Sequence, residues 1–571
     1  MLRFESCRRH LVRWAAPWVL ASACLTTGCG EEDPDDDPQA AEVPHYPITD
    51  EIYTTLQQLW LPKDPPTSTV QASSEGEFVI TEIPRYAEMG LGVELGAGEL
   101  WTERDELAPG WDAHTPGARR SLMFFWQSTD PQVVDEESPL RLSGVTGAAI
   151  GSAYRPQDHL TTQAFESQVR TVRAIQERLT RPLDFAILTG DLADGGQKNE
   201  LQWVMDIMTG GVIDPDTGKN DDPVPGPGND HNDPYRSLGL EVPWYALVGN
   251  HEVLYSGIAT ATAEVQAAAV GEEVFQGLYH ILKINPSEGF QGGFRDGTTE
   301  HGEVRTQGPT PADANRYIPD LNEVLSIFHG TPGLPEGHGL TQADVAAGKG
   351  YYSFLPVAGS PIRVIALNTL SQDPATADGA IDEAQWSWLT AELDASAARG
   401  ELVLMASHHQ AKEIKRGAHR GPELEALLAR HEHVILHFTG HGHSNAVTHI
   451  LPDLERDEGH RGYWEVMTPS TIDFPLQTRF WELVDEGDGY LSIYGTLLDH
   501  NAPEGSLAHR ARELAAGHGW FQNRAQRARF DAEREHRNFI LRVKVSDALS
   551  TSLATAPSSD SIASEDTLAA F

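Results

Sequence analysis

Five short apolar runs in this chain each stop at a polar cluster, and this arrangement constrains the fold more than any other feature. The runs cover 121–127, 185–188, 242–248, 402–405 and 434–438. Each has the length of a buried strand, and helical spacing of apolar residues marks 161–179 and 381–398. Short apolar strands separated by helices predict a layered α/β architecture.

The polar clusters hold carboxylates, amides and imidazoles, which are ligands for divalent metal ions. In α/β sheets, ligands collect at the carboxyl ends of strands. Residues i and i+2 of an extended segment face the same way, so Asp130 with Gln132, and His441 with His443, are expected to reach one site. Two neighbouring metal ions need such donors and an open position for water and substrate. The candidates are Asp130, Gln132, Asp191, Asn250, His251, His408, His441 and His443.

The motifs Asp-x-Gln, Gly-Asp-x-x-Asp, Gly-Asn-His-Glu, His-His and Gly-His-Gly-His, in this order, resemble those of the calcineurin-like metallophosphoesterases. The resemblance runs from about residue 120 to residue 443. It implies a four-layer α/β/β/α sandwich of the metallophosphoesterase type, with long loop insertions. It also implies a hydrolase of phosphomonoesters or phosphodiesters that uses a dinuclear metal centre and a bridging hydroxide as nucleophile.

Carried over residue by residue, the resemblance implies two divalent ions, with Mn, Fe or Zn expected. The first ion would be held by Asp130, Gln132, Asp191 and His443, and the second by Asp191, Asn250, His408 and His441. Asp191 would bridge the two ions and is counted with His251 as catalytic. His251 would contact the phosphate of the substrate or protonate the leaving oxygen.

Two positions depart from the family pattern. Gln132 stands where the family usually has histidine, and an amide oxygen is a harder and usually weaker ligand, which favours Mn or Fe over Zn at the first site. His408 and His409 compete for one role. In related enzymes the ligand precedes a proline by two residues, and Gln410 occupies that place, which selects His408. An alternative function is a lipid-anchored metal- or phosphate-binding surface protein without turnover.

Charge and the amino terminus indicate where the chain acts. With 42 Lys+Arg against 84 Asp+Glu, the net charge of −42 argues against nucleic-acid binding. Residues 1–28 have the basic, apolar and small-residue pattern of an export signal, and their end resembles the lipobox of bacterial lipoproteins, with Cys29 lipidated. An ordinary cleaved signal with a chance cysteine is the alternative. The expectation is an exported cell-envelope lipoprotein, at the periplasmic face or the cell surface, that meets the membrane only through its lipid.

The remaining chain divides by composition. The predicted parts are an acidic tether at 29–42, an N-terminal extension at 43–119, a metallophosphoesterase domain at 120–500 with insertions at 209–240 and 284–350, a helical segment at 501–547 and a disordered tail at 548–571. Asp194 and Glu252 are expected to hydrogen-bond the loop backbone. The insertion residues His301, Arg305, Arg316 and His338 either line a phosphate pocket or lie at the solvated surface.

Overall fold

The computed structural model describes most of the chain after residue 44. The described ranges are 45–49, 51–65, 88–115, 117, 119–141, 154–218, 226–273, 310–452, 461–523 and 525–561. The predicted signal peptide at 1–28, Cys29 and the tether at 29–42 lie outside these ranges and stay predictions. Among the helices that the described ranges contain, none combines the length and the apolar character needed to cross a bilayer.

The strands are β1 (Gln58–Pro62), β2 (Val93–Ala97), β3 (Thr102–Leu107), β4 (Arg120–Ser128), β5 (Phe185–Leu188), β6 (Val212–Ile213), β7 (Tyr235–Arg236), β8 (Trp244–Ala246), β9 (Leu254–Tyr255), β10 (Ala259–Thr260), β11 (Tyr352–Phe354) and β12 (Ile362–Ala366). They continue with β13 (Ser371–Gln372), β14 (Ala375–Thr376), β15 (Gly379–Ile381), β16 (Leu402–Ala406), β17 (Ile414–Gly417), β18 (Val434–Thr439), β19 (Ala446–Ile450), β20 (Tyr463–Met467), β21 (Gln477–Gly487), β22 (Tyr490–Asp499), β23 (Phe539–Lys544) and β24 (Ser559–Asp560).

The α-helices are α1 (Thr161–Arg178), α2 (Lys198–Thr209), α3 (Ala263–Ala269), α4 (Leu321–Gly330), α5 (Gln342–Ala346), α6 (Glu383–Arg399), α7 (Gly421–Arg430), α8 (Leu507–Asn523), α9 (Gln526–Ala532), α10 (Arg534–Arg537) and α11 (Asp547–Leu553). Short 3₁₀ helices cover Trp111–Ala113, Asp158–Leu160, Ala314–Arg316, Glu336–Gly339 and Ala411–Glu413.

Two large sheets organise the fold. The eight-stranded sheet has the order β3-β23-β22-β21-β4-β5-β8, with β24 paired to β4, and the six-stranded sheet has the order β11-β12-β16-β18-β20-β19. The strands β4, β5 and β8 are parallel neighbours in the first sheet, and β16 and β18 are parallel neighbours in the second. Parallel neighbours end at the same edge, so the loops that carry the candidate residues leave each sheet together.

The sheets pack face to face, with helices outside them. The ring centroids of Phe125 in β4 and Phe438 in β18 are 5.4 Å apart, which joins the two sheets directly. Along β16, Leu404 belongs to the core that both sheets share, and Met405 belongs to a second core with α6 and α7. The helices α1 and α2 pack against the eight-stranded sheet. The predicted four-layer α/β/β/α arrangement is therefore confirmed.

Several predicted elements match within two residues. The strand at 185–188 is β5, and the helix at 161–179 is α1, which ends one residue earlier. The predicted helix at 381–398 begins at Glu383 because Asp382 caps it, and the carboxylate of Asp382 accepts the backbone N–H of Gln385 at 2.7 Å.

The eight-stranded sheet includes strands on both sides of the predicted bounds of 120–500. Both β3 and β23 lie outside these bounds, yet they pair with each other and complete one edge of the eight-stranded sheet. The segment 501–547 contains the expected helices α8 to α10 but ends in the strand β23. Composition alone conceals this pairing, because the two strands are far apart in the chain.

Two further predictions need correction where the structure describes them. Part of the tail at 548–571 is ordered: α11 buries Leu549 and Leu553, and β24 pairs with β4. These two leucines, four residues apart, give a helix one apolar face despite the polar composition. In the insertion at 284–350, residues 310–350 form α4 and α5, and α4 buries Phe328.

An ion-pair cluster at the start of β16 gives a stability prediction. Burial raises the pKa of Glu401, but hydrogen bonds from Arg363 and Arg399 outweigh it and lower the pKa from 4.5 to about 2. Because the folded-state pKa is depressed, Glu401 stabilises the fold above pH 4.5 and loses this effect as the pH falls toward 2. We expect Glu401→Gln to lower the free energy of unfolding by about 1 kcal/mol at pH 7, since solvent screens the cluster.

Urea denaturation of both proteins at pH 7, 4 and 3 measures this effect. The difference in the free energy of unfolding between the variant and the wild type should become smaller at each lower pH. Asp394→Asn, which changes an exposed carboxylate on α6, is the control and should show no such trend. A difference that stays constant with pH would contradict the stabilising role of the carboxylate.

Candidate metal centre

The loops after β5, β8 and β16 meet around Asp191. Oδ2 of Asp191 lies 3.0 Å from Nε2 of His408 and 3.9 Å from Nε2 of His251. The same Nε2 of His408 lies 3.2 Å from Oδ1 of Asn250. The structure therefore brings these four predicted residues together from both sheets.

The loops after β4 and β18 meet beside them around Asp130. Oδ1 of Asp130 lies 3.3 Å from Nε2 of His443, and Oδ2 accepts the backbone N–H of His441 at 2.9 Å. The hydroxyl of Thr129 also donates to Oδ2 of Asp130, at 2.5 Å. Both carboxylates of the site are thus buried and face imidazoles from the six-stranded sheet.

The donor atoms are close enough for divalent metal ions. Two groups of side chains each have ligand atoms within 4.8 Å of one another: Asp130, Asp191 and His408 form one, and His408, His409 and His441 form the other. His408 belongs to both groups. Mixed carboxylate and imidazole donors suit Mn, Fe and Zn. The chemistry of the donor set therefore fits metal ions.

The charges within the site are strongly coupled. Burial raises the pKa of Asp191, but the nearby His408 and His251 outweigh this effect. The pKa of the Asp191 carboxyl is therefore well below its usual range. Burial lowers the pKa of His408, whereas Asp191 and Asp130 raise it to about 9. Burial and the neighbouring His408 lower the pKa of His441 to about 4. The two carboxylates are thus held ionised, which is the form that binds a metal.

Gln132 has a partner that its sequence position does not reveal. The side chain is 2 % exposed, and its Oε1 accepts a hydrogen bond from the guanidinium of Arg155 at 3.1 Å. A carbonyl oxygen has two lone pairs, so one remains for a metal ion. The positive charge of Arg155 nevertheless opposes a divalent ion at this position.

Asp473 is a site residue that the sequence analysis missed. Its Oδ2 lies 2.7 Å from Nδ1 of His443, and its Oδ1 accepts from Arg155 at 3.0 Å. Burial lowers the pKa of His443, but hydrogen bonds to Asp130 and Asp473 raise it to about 10. Asp473 thus fixes the ring of His443 and connects it to Arg155. It follows β20 without any motif, so no sequence signal marks it.

The environments of the two adjacent histidines differ. His409 lies with Nδ1 2.8 Å from Oγ1 of Thr369, and its Nε2 lies 3.0 Å from the carbonyl oxygen of Ala377. His408 instead directs Nε2 at Asp191, while its Nδ1 lies 2.8 Å from the carbonyl oxygen of Thr189. This geometry favours His408 as the ligand, in agreement with the motif register.

A buried chain of hydrogen bonds supports the loop that carries these histidines. Nδ1 of His437 lies 3.0 Å from Oε2 of Glu465, and its Nε2 lies 2.7 Å from Oγ of Ser407. The hydroxyl of Ser407 donates to the carbonyl oxygen of His409 at 2.6 Å. These bonds fix the backbone on both sides of His408. No sequence motif marks these residues, because they lie on three different strands or loops.

The backbone at the site is left-handed. Five of the seven predicted ligands have positive φ: Asp130 (49°), Gln132 (40°), Asp191 (53°), His441 (70°) and His443 (50°). Among the described residues only ten that are not glycine do so. Such conformations cost about 1–3 kcal/mol each and cluster at functional sites. The prediction that Asp130–Gln132 and His441–His443 are extended is therefore wrong, although His441 and His443 do meet Asp130 at the site.

Two glycines permit the close approach of these loops. A Cβ at Gly249 would collide with the backbone and carboxylate of Asp191, and a Cβ at Gly440 would collide with Thr129 and Asp130. Each glycine directly precedes a predicted ligand, Asn250 or His441. A glycine directly before a predicted ligand is therefore a sequence signal for this site, because a residue with a Cβ would prevent the close approach of the loops.

Glu252 and Asp194 support the loops in different ways. Glu252 accepts the backbone N–H groups of Gly249 at 2.6 Å and of Leu192 at 2.5 Å, which is the predicted loop role. Asp194 does not match its prediction, because its carboxylate pairs with Arg155 at 3.0 Å and with Arg141. It therefore neutralises buried guanidinium groups beneath the site.

Of the four insertion residues, the two that the structure describes, Arg316 and His338, match neither of their predicted roles. Arg316 is buried and donates to Asp135 at 2.7 Å, and His338 is stacked on Trp244 with ring centroids 3.5 Å apart. Both are structural and neither is solvated. His301 and Arg305 lie outside the described residues.

Comparisons with known proteins give partial likenesses only. No protein-family model matches the chain, and no curated protein matches it. A crystal structure of a dimetal phosphatase from Danio rerio is similar with a TM-score of 0.36 and 14 % identity, over 67 % of this chain and 100 % of that chain. The structure of PhoD is similar with a TM-score of 0.27 and 10 % identity, over 77 % of this chain and 81 % of that chain.

The first prediction from the site concerns metal binding. Asp130 and Asp191 repel each other, and a divalent ion between them removes this repulsion. We expect Mn²⁺ or Zn²⁺ to stabilise the chelator-treated protein, by about 2.7 kcal/mol at a hundredfold excess over Kd. Thermal unfolding with and without metal measures the effect. Asp191→Ala should abolish it, and an equal effect in that variant would show that the metal binds elsewhere.

The second prediction concerns Asp473. Partners that orient a metal ligand typically contribute 10–100-fold to metal affinity. We expect Asp473→Asn to weaken the binding of the ion that His443 would hold by about that factor. The reason is that His443 loses a charged partner and Arg155 loses an ion pair. Metal titration by calorimetry tests this, with Asp488→Asn as the control. Unchanged affinity would contradict the positioning role.

Proposed function

We propose that the chain is a metal-dependent hydrolase of phosphate esters that works with two divalent ions, for which the ligands favour Mn, Fe or Zn. The observation that carries this proposal is the meeting of Asp130, Asp191 and His408 from two sheets, with ligand atoms within 4.8 Å of one another. The left-handed backbone at five of the seven predicted ligands supports a functional rather than a structural site.

When bound, the ions would supply an activated water and positive charge for the phosphoryl oxygens. The protein contributes the ligands and their arrangement. We assign Asp130, Gln132, Asp191 and His443 to one ion and Asp191, Asn250, His408 and His441 to the other. Asp191 is central because it lies beside ligands from both groups, 3.0 Å from His408 at its nearest.

His251 is suited to proton transfer. Its Nδ1 lies 2.5 Å from the backbone carbonyl oxygen of Asp194, which can only accept, so Nδ1 carries a proton. The other nitrogen, Nε2, faces the site 3.9 Å from Asp191. In the imidazolium form of His251 Nε2 also carries a proton, and we assign Nε2 as the atom that donates this proton to a phosphoryl oxygen or to the leaving oxygen of the ester.

One observation favours a second candidate function, binding of metal or phosphate without turnover. The guanidinium of Arg155, 3.1 Å from Oε1 of Gln132, lowers the affinity expected for the first ion. A site with a single tightly held ion would keep the ligands Asn250, His408 and His441 but lack the paired charge that hydrolysis needs.

The distinguishing experiment measures hydrolysis of a chromogenic phosphodiester and a chromogenic phosphomonoester by the full chain. The protein is treated with chelator and resupplied with Mn²⁺, Fe²⁺ or Zn²⁺. We expect metal-dependent hydrolysis that Asp191→Ala abolishes. We also expect His251→Ala to lower kcat by about 10²–10⁴-fold while the bound metal is retained, since a positioned proton donor contributes that much.

His449→Ala, at the edge strand β19, is the matched control and should hydrolyse the esters like the wild type. Metal bound by the wild type without hydrolysis of either ester would favour the binding protein. Loss of bound metal in His251→Ala would show that His251 is a ligand and not a proton donor.

A further inference from the structure

A small cavity adjoins the candidate metal centre on the side of His443. It has a volume of about 110 Å³ and lies between the loop after β20 and the helices α8 and α9. His443 and Asp473 form one wall, and Gln526, Arg529, Phe530 and Glu533 form the other. The C-terminal helical segment, for which no sequence motif predicts a role, thus reaches the site.

Gln526 carries a hydrogen-bonding group that the fold does not use. The side chain is only 7 % exposed and lines the cavity, and its Oε1 has no hydrogen-bond partner among the described residues. Its position is fixed by close packing, because a Cβ at Gly519 would lie 2.5 Å from its Nε2. An unsatisfied buried acceptor costs about 1–3 kcal/mol. The wall of the cavity thus contains an amide whose capacity for hydrogen bonds is not fully used.

The charges that line the cavity favour a neutral ligand. Arg529 and Glu533 form an ion pair with 3.6 Å between Nε and Oε1, so their charges largely cancel. An anionic group would face Glu533 and Asp473, and a cationic group would face Arg529. A hydroxyl group is a small neutral donor that suits the carbonyl oxygen of Gln526.

The volume limits the size of this ligand. A dry cavity of about 150 Å³ in another protein holds one benzene ring. By the same ratio a cavity of 110 Å³ holds about four or five non-hydrogen atoms. A base with its ribose is far larger. The apolar ring of Phe530 and the side chain of Pro475 provide contacts for a short carbon chain.

We propose that this cavity binds the alcohol part of the ester, and that the preferred substrates are phosphate esters of a small alcohol with further hydroxyl groups. This inference rests on the proposed function, since only an ester held at the metal centre places its alcohol beside His443. In the reaction, the bond from water oxygen to phosphorus forms, the ester P–O bond breaks, and the alcohol leaves with a proton. Gln526 is the specificity-determining residue.

A matched pair of substrates tests the inference. Glycerol 3-phosphate and propyl phosphate have the same carbon chain and differ only in two hydroxyl groups; their methyl diesters serve if the enzyme is a diesterase. We expect kcat/KM to be at least about tenfold higher for the glycerol ester, since one hydrogen bond contributes roughly 1.4 kcal/mol. Adenosine monophosphate, which exceeds the cavity, should be a poorer substrate than the glycerol ester.

Variants at the cavity identify its role. Gln526→Leu should remove the preference by lowering kcat/KM for the glycerol ester at least about tenfold. Gln526→Glu keeps an acceptor and should retain the preference. Gln202→Leu, on the exposed face of α2, is the control. An equal fall for both substrates in Gln526→Leu, or no preference in the wild type, would overturn the assignment of the cavity.

Binding without turnover separates this inference from the proposed function. Calorimetric titration of the metal-loaded full chain with glycerol 3-phosphate and with propyl phosphate measures the cavity directly. Tighter binding of the glycerol ester, lost in Gln526→Leu, supports the cavity even if no ester is hydrolysed, in which case the proposed function alone fails. Equal binding of the two esters overturns the cavity whatever the activity.

Discussion

The meeting of two parallel strand sets at one edge is the constraint on which the rest of the structure depends. The strands β4, β5 and β8 end beside β16 and β18, so carboxylates from one sheet face imidazoles from the other. Neither sheet supplies a complete set of donors. Any ion held by Asp130, Asp191 and His408 therefore crosslinks the sheets, and metal binding is coupled to their packing.

Buried charges and strained backbone conformations are concentrated at the site, and the surrounding structure stabilises them. The carboxylates of Asp130 and Asp191 are buried near each other, and left-handed turns present them. Glu252, Asp473 and the chain through His437 hold the loops by hydrogen bonds to backbone or ring atoms. The free-energy costs of buried charge and of left-handed backbone are thus concentrated in the loops, while the sheets beneath them remain regular.

The sequence predicted the layers and the residues that meet, because both depend on local patterns. Apolar runs identify buried strands, and motifs at their ends identify donors that parallel strands bring together. It could not predict Arg155, Asp473 or Gln526, since these act through partners distant in the chain. It also missed the left-handed backbone, because Asp and His adopt this conformation at few of their positions, although they are enriched there, and Gln132 has no such enrichment. The residue type shows which side chains can bind a metal, but only the fold shows where each of them points.

The pairing of β3 with β23 has a consequence for how the chain folds. Phe539 lies opposite Thr102, so one edge of the larger sheet joins segments from near opposite ends of the sequence. Contacts of such long separation form late and slow the folding of a chain. Until synthesis has passed β23, the partner edges of β3 and β22 are unpaired, and unpaired edges promote aggregation. The larger sheet is therefore completed only after β23 has been synthesised.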